Sequence, residues 1–410
     1  MNLFIFNEST DVAAGYGIGT YIRELTDALR NSIIKINIVN IMSEQPQVLI
    51  EEIDSVRIWN FPKPKQEKTT ISLDKKIELY YRNLVYLLQL HIEERKDLVF
   101  HLNYNLSGKL IDELKSVFVC RIVVTVHSTI WGLLIYDNLK RLRSILNDEQ
   151  PDLLGKNLKN LINHEKLFFS KADHVISLSA YMYEILFQDY GLDPSKIFLI
   201  PNGLTDIPKA MSDNALLREK WAIPFEEKII LFVGRLDELK GLTYLIKAFR
   251  KVIMIYPHCR LVIAGEGDFS KYTKKTQDIC AKVTYTGLLN KAHLDEFYRL
   301  ADVGVIPSLF ETFGYVAVEM MMRGLPVVVT ATSGLDEVVD ESNGLKVSIT
   351  EYPDRVEIDA DLLAEKIVYL LEHPKEAKRM GENGRKRYLA NYTGDIFRRN
   401  MLQLYESLIN

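Results

Sequence analysis

The chain has 410 residues, enough for two or more domains of ordinary size with ample core. Hydrophobic residues make up 47% of it and charged residues 26%, the balance of a soluble globular protein and not of a disordered or fibrous one. A formal net charge of −4 excludes a general attraction to nucleic acid, and no uncharged apolar run reaches the roughly 18 residues that a membrane-spanning helix needs.

In chain order, Met1 to Phe6 reads as a first β-strand, too short and without the basic start of an export signal. Strands follow near 34–41, 97–102, 121–126 and 173–178, alternating with helical stretches near 18–31, 74–95, 106–116 and 157–170. Between residues 43 and 72 a Pro-, Lys- and Gln-containing stretch reads as a loop. The alternation predicts a first α/β unit over 1–203, with Ile200-Pro201-Asn202-Gly203-Leu204 as strand, proline stop and turn. A second α/β unit is expected over 204–388. A last helix near Ile396 to Leu408, within 389–410, is expected to return to the first unit. Cys120, Cys259 and Cys280 are odd in number and widely spaced, so they read as small core residues in a reducing compartment, not as disulfides or a metal site.

Three features of the first unit bear on chemistry. Gly15-Tyr16-Gly17-Ile18-Gly19 follows the first strand and opens a helix, where its glycines let the backbone approach a ligand closely; a plain flexible connector is the alternative. His127 stands at the C-terminal end of the apolar strand Val123 to Val126, and the other histidines show no metal-ligand spacing. Residues 130–146 carry Lys140, Arg141 and Arg143 beside leucines. They read as a core-facing helix with a solvated basic side, and alternatively as a helix lying on a membrane surface.

The second unit carries the sharper signals. Lys228 to Val233 is a continuous apolar strand, as expected of a parallel sheet covered on both faces. It runs into Gly234-Arg235-Leu236-Asp237-Glu238-Leu239-Lys240-Gly241 and then a helix from Leu242 to Ile255. Cations at a helix start, where the dipole favours anions, fit a phosphate: Arg235 offers a planar fork and Lys240 a point charge. Leu261 to Gly267 reads as a strand with a Gly265-Glu266-Gly267 turn. No helix-opening glycine follows to complete a dinucleotide fingerprint. Farther on, Val303 to Ile306 is a short buried strand stopped by Pro307. Beyond it Glu311 lies in the turn, and Glu319 is expected about two turns into the helix that Phe313-Gly314-Tyr315 opens. A carboxylate on so apolar a helix needs a hydrogen-bonding partner.

Glu311 and Glu319 with seven residues between them, Phe313-Gly314 inside that interval, and Gly234-Arg235 with Lys240-Gly241 resemble the EX7E and G-R-x-x-x-x-K-G elements of retaining, nucleotide-sugar-dependent glycosyltransferases of family 4. Val283 to Gly287, Gly324 to Thr330 and Gly334 to Val339 continue the resemblance in order. The family's usual glycine pair is here Ser333-Gly334. The resemblance implies the GT-B fold: two Rossmann-like lobes, an N-terminal acceptor-binding one and a C-terminal one for the nucleotide sugar, with a cleft between them and a C-terminal helix crossing back. The stretch 43–72 would then lie on the acceptor side.

The resemblance further implies a hexosyl transfer from a nucleoside-diphosphate sugar to the hydroxyl of a glycan, lipid-linked or peptide acceptor. The configuration would be retained by a front-face route that needs neither a cofactor nor a metal. Arg235 and Lys240 would hold the diphosphate, Glu311 the transferred sugar together with backbone N–H groups at Phe313, Gly314 and Tyr315, and Glu319 the ribose. Gly17 and Gly19 would face phosphate and acceptor, Gly234 and Gly265 would line the nucleotide, and His127 would bond a sugar hydroxyl. A cytoplasmic protein is expected, with a peripheral contact at the inner face of the membrane if residues 130–146 lie on it. A sugar-nucleotide epimerase of the same architecture and a catalytically silent sugar-nucleotide-binding subunit are the alternatives.

Overall fold

A computed structural model describes the chain except residues 9–16, 65–71, 104–107, 208–212 and 409–410. It divides into two compact units, one made of residues 1–130, 148–203 and 394–410, the other of 131–147 and 204–393. The division differs from the expected one at two places: residues 131–147 pack with the second unit, and that unit runs on to residue 393 and not 388.

The first unit is built on an eight-stranded sheet, with β1 (Asn2–Glu8), β2 (Lys35–Ser43), β3 (Leu49–Ile53), β4 (Val56–Pro62), β5 (Leu98–Leu102), β6 (Cys120–Thr125), β7 (His174–Ser177) and β8 (Ile197–Leu199). Its order is β3-β4-β2-β1-β5-β6-β7-β8, parallel throughout except for β3. The stretch read as a loop over 43–72 therefore contains an edge hairpin. Its two-residue turn, Asp54-Ser55, holds both residues at positive φ (49° and 65°), which matches the twist of the flanking strands. The part over 65–71 lies outside the described residues. The apolar strands Leu3, Ile5, Val99 and Phe100 are fully buried between helix layers, which is why they read so clearly as sequence. The helix Gly394–Ser407 belongs to this unit and packs on the helix Gly17–Leu29, with Phe397 against Tyr21.

The second unit has a seven-stranded sheet of β9 (Lys228–Val233), β10 (Cys259–Ala264), β11 (Val283–Gly287), β12 (Val303–Ile306), β13 (Val327–Ala331), β14 (Gly344–Glu351) and β15 (Val356–Ile358). The order β11-β10-β9-β12-β13-β14-β15 is doubly wound, with only β15 antiparallel. The chain leaves β9 toward β10 on one side and returns as β12 on the other, so β9 and β12 flank the topological switch point, the place where open α/β sheets bind ligands. The helix Leu242–Ile255 follows β9 and buries Leu242, Leu245, Ile246 and Phe249 on the sheet.

Residues 130–146 do not form one amphipathic helix. Tyr136 and Asp137 take positive φ (53° and 59°) and split the stretch into Ile130–Ile135 and Leu139–Asn147. Trp131, Ile135 and Leu142 face inward, and Lys140 is solvated. No helix of the described residues is long and apolar enough to cross a membrane. Cys259 is buried and Cys120 partly so, but Cys280 is exposed, contrary to the expectation that all three are core residues.

Candidate functional site

In the second unit, the turns after β9 and β12 meet. The Asp237 carboxylate accepts from the Lys240 backbone N–H at 3.1 Å and fixes a single 3-10 turn over Glu238–Lys240. Gly241 then takes φ 65° and starts the long helix. A Cβ at Gly241 would lie 1.7 Å from the carbonyl oxygen of Pro307, so only glycine lets the two turns touch. The Leu309 N–H donates to Leu239 O at 2.7 Å and stitches them together.

This contact brings the predicted residues into register. Lys240 Nζ lies 2.5 Å from Glu311 Oε1, with the two side chains 23% and 16% exposed, and Ser308 Oγ donates to the same carboxylate oxygen at 3.0 Å. One N–H of an ammonium group so engaged leaves two for a further anion. Arg235 lies at the rim, its guanidinium 3.0 Å from Asp237 Oδ2. A third turn, after β13, closes around Glu311. Thr330 Oγ1 donates to Ser308 O at 2.5 Å, Thr332 Oγ1 to Leu309 O at 3.1 Å, and the Gly334 N–H to Glu311 O at 2.9 Å. A Cβ at Gly334 would fall 2.1 Å from Thr312 O, which explains the glycine there. Its neighbour Ser333, where the family pattern has a glycine, is held at φ 42° and hydrogen-bonds Asp137.

Gly314, at φ 101°, opens the helix Tyr315–Met322, so Glu319 is its fifth residue, about one turn in and not two. Its Oε2 accepts from Tyr298 Oη at 2.6 Å. Burial first, and the adjacent Glu319 charge second, hold the Tyr298 phenol well above its usual value, so it stays a donor. Tyr298 was missed from sequence, because it comes from the helix Lys291–Leu300 and only the fold brings the two together. Phe313 is 4% exposed and packs edge-on between Tyr315 and Tyr392, so its side chain serves the core. Gly234 and Gly265 sit side by side at the ends of β9 and β10, with the Gly234 N–H donating to Ala264 O.

In the first unit, Gly17 and Gly19 stand in the first turn of the helix Gly17–Leu29 and not on a loop, while Gly15 and Tyr16 lie outside the described residues. His127 follows β6 and donates from Nε2 to Asn103 Oδ1 at 3.1 Å, because a carbonyl-type oxygen can only accept. Its ring meets Tyr21 edge-on at 4.7 Å. Behind it His101 is fully buried between Tyr405 Oη and Thr125 Oγ1, each at 2.7 Å. Burial pushes both imidazoles down to about 3, so each is neutral at physiological pH. His101 and Tyr405 carried no local sequence signal; a buried polar pair 304 residues apart is found only in the folded chain.

The family profile described as "Glycosyl transferases group 1" matches residues 213–387, and that described as "Glycosyltransferase Family 4" matches residues 16–206. An uncharacterized glycosyltransferase of Methanocaldococcus jannaschii is 38% identical over 42% of this chain and 46% of its own length. Mannosylfructose-phosphate synthase of Agrobacterium fabrum is 32% identical over 44% of the chain and 42% of its own length. The chain thus spans about half the length of the curated relatives it matches. Among solved structures, sucrose-phosphate synthase from Thermosynechococcus elongatus superposes with a TM-score of 0.76 at 25% identity, over 99% of this chain and 98% of the other. HepE of Anabaena in complex with UDP-glucose does so with a TM-score of 0.71 at 16% identity, over 99% of this chain and all of the other.

Proposed function

Since the chain belongs to the glycosyl transferases group 1 and to glycosyltransferase family 4, with their GT-B fold, we infer that it transfers a hexosyl group from a nucleoside-diphosphate sugar to an acceptor hydroxyl with retention of configuration. The observation that carries this reading is the Lys240–Glu311 contact at the switch point of the second sheet, with Arg235 beside it and Glu319 on the following helix. Arg235 and the remaining Lys240 donors face the diphosphate and stabilise the charge that develops on it as the glycosidic bond breaks. The departing phosphate accepts the proton of the incoming hydroxyl on the same face of the sugar. Two fixed cations supply the charge that a metal would otherwise bring.

Glu311, held at its carboxylate by Lys240 and Ser308 and at its carbonyl by Gly334, orients the transferred sugar. Glu319, oriented by Tyr298, takes the ribose hydroxyls. Burial lowers the His127 imidazole to about 3, so a neutral His127, oriented by Asn103, is a weak base and suits hydrogen bonding to a hydroxyl better than proton abstraction. The proposed acceptor is a glycan, a lipid-linked molecule or a peptide, and the proposed location is the cytoplasm or the inner face of the membrane.

The test is release of nucleoside diphosphate, with and without acceptor, from donors chosen by a thermal-shift panel of UDP-, GDP- and ADP-sugars, since a bound donor raises apparent stability. UDP-glucose comes first because the fold neighbour HepE holds it. Stabilisation without release would point to a silent binding subunit, and a changed sugar on an intact nucleotide would point to an epimerase.

A further inference from the structure

Residues 131–147 lie as a strap on the second unit, although the chain on both sides of them belongs to the first. The strap touches the second unit at several points, some of them beside the candidate site. Gly132 lies so close to Phe310 that a Cβ there would be 2.5 Å from the ring. Tyr136 packs against the core cluster that contains Leu242 and Leu309. Asn138 Nδ2 donates to Tyr352 O at 2.6 Å, and Arg141 donates to Asp354 O at 3.0 Å. Between these points Asp137 accepts a hydrogen bond from Ser333 Oγ, and each of the two residues is 8% exposed.

Both partners are held in the left-handed region, Asp137 at φ 59° and Ser333 at φ 42°. Neither is glycine, and such a conformation persists in a non-glycine residue when the surroundings over-determine it. Ser333 is also the point at which this chain departs from the family's glycine pair. Its neighbours are the atoms that hold the Glu311 turn: Thr332 Oγ1, 3.2 Å from Ser333 Oγ, bonds Leu309 O, and the Gly334 N–H bonds Glu311 O.

We propose that Asp137 and Ser333 are a positioning pair, through which the strap holds the turn after β13 and so fixes Glu311 where it meets the transferred sugar. The inference rests on the transferase reading above. Neither residue is assigned a contact with substrate. Losing the hydrogen bond would let the Glu311 turn relax, and small misplacements of that kind act on turnover more than on donor binding.

Ser333→Gly makes the sharpest test, because glycine accepts φ 42° without strain while the side chain that bonds Asp137 is removed. Together with Asp137→Ala, it is compared with the wild-type full chain by two measurements: steady-state kinetics on the donor that the wild type turns over, and amide hydrogen exchange of residues 308–314 and 332–334. We expect kcat to fall about 10- to 100-fold with donor KM changed less than about threefold, and exchange in both turns to rise at least about tenfold while β9 and β10 stay protected. Wild-type turnover and unchanged exchange in Ser333→Gly would overturn the proposal. So would a loss of activity with exchange raised evenly across the unit, which is what a merely structural role would give. A wild-type chain without transferase activity would sink the functional reading, while the exchange comparison would still decide whether the pair holds the turn.

Discussion

At the scale of single residues, the site divides into groups that act on the leaving phosphate and groups that hold sugars. Arg235→Ala or Lys240→Ala removes charge stabilisation concentrated in the transition state, and turnover is expected to fall roughly 10²–10³-fold. Wild-type kcat in both single variants would show that the diphosphate lies elsewhere. Lys240→Ala also deprives Glu311 of its 2.5 Å partner, so its loss should exceed that of Arg235→Ala, whose partner Asp237 is at the solvated rim. Glu311→Gln is expected to lower kcat, and Glu319→Ala chiefly to raise donor KM, since ribose contacts are made alike in ground and transition states. Tyr298→Phe should reproduce a milder form of the Glu319 effect, about three- to tenfold in KM, by releasing a carboxylate that it now orients. Equal effects on kcat and KM in all three would mean that the two glutamates share one role. The glutamates, Arg235, Lys240 and His127 were legible as residues because each stands at a strand end or on the helix after one. Tyr298, Ser308 and Asp137 were not. Each is an ordinary residue in its own segment and becomes part of the site only through sheet order and turn packing.

At the scale of elements, the parallel strands read correctly because both of their faces are covered, leaving unbroken apolar runs at Ile229–Phe232 and Leu261–Ala264. The helix Leu242–Ile255 lay where its periodicity put it. The edge strand β3 escaped, because there Glu51 and Glu52 are solvated and the apolar alternation is lost, and β4 escaped with it although its own burial alternates. The break at Tyr136–Asp137 escaped for another reason: left-handed backbone at non-glycine residues leaves no mark in composition. The contact between the turns after β9 and β12 can be tested directly. Gly241→Ala meets both a positive φ and the Pro307 carbonyl at 1.7 Å, whereas Gly287→Ala meets a similar φ of 68° with nothing within 4 Å. The second change should cost about 1 kcal/mol, the strain of a left-handed alanine, and the first at least about 3 kcal/mol or the folded state itself. Equal urea midpoints for the two variants would show that the turns are not in contact in solution.

At the scale of the whole molecule, stability should depend on two neutral histidines. His101 and His127 titrate near 3 in the folded chain and near 6.5 when unfolded. Between those values the unfolded chain binds protons that the folded chain refuses, so stability is complete above about pH 6.5 and lost as pH falls toward 3. His101 alone should cost about 2 kcal/mol at pH 5 relative to pH 7. In urea titrations at the two pH values, His101→Gln should shrink that difference, and an unchanged difference would show that the buried imidazole accepts its proton in place. The reaction as a whole has its own readout. An α-linked donor should yield an α-linked product, seen in the anomeric proton coupling, and His127→Ala should lose part of the activity but not all of it. A β-linked product would require a base on the opposite face and would overturn the front-face route.

The hydrogen bond between His101 and Tyr405 joins residues 304 positions apart. It closes a unit whose strands are made well before its covering helix, Gly394–Ser407. At roughly 5–20 residues per second, ribosomal synthesis leaves a wait of roughly 15–60 s between the two partners. Most of the second unit is translated during that wait, its last strand ending at Ile358. The unit that is begun first therefore cannot close until most of the other has been made, and during the interval its buried imidazole and the face of the helix Gly17–Leu29 stand open to chaperones and proteases.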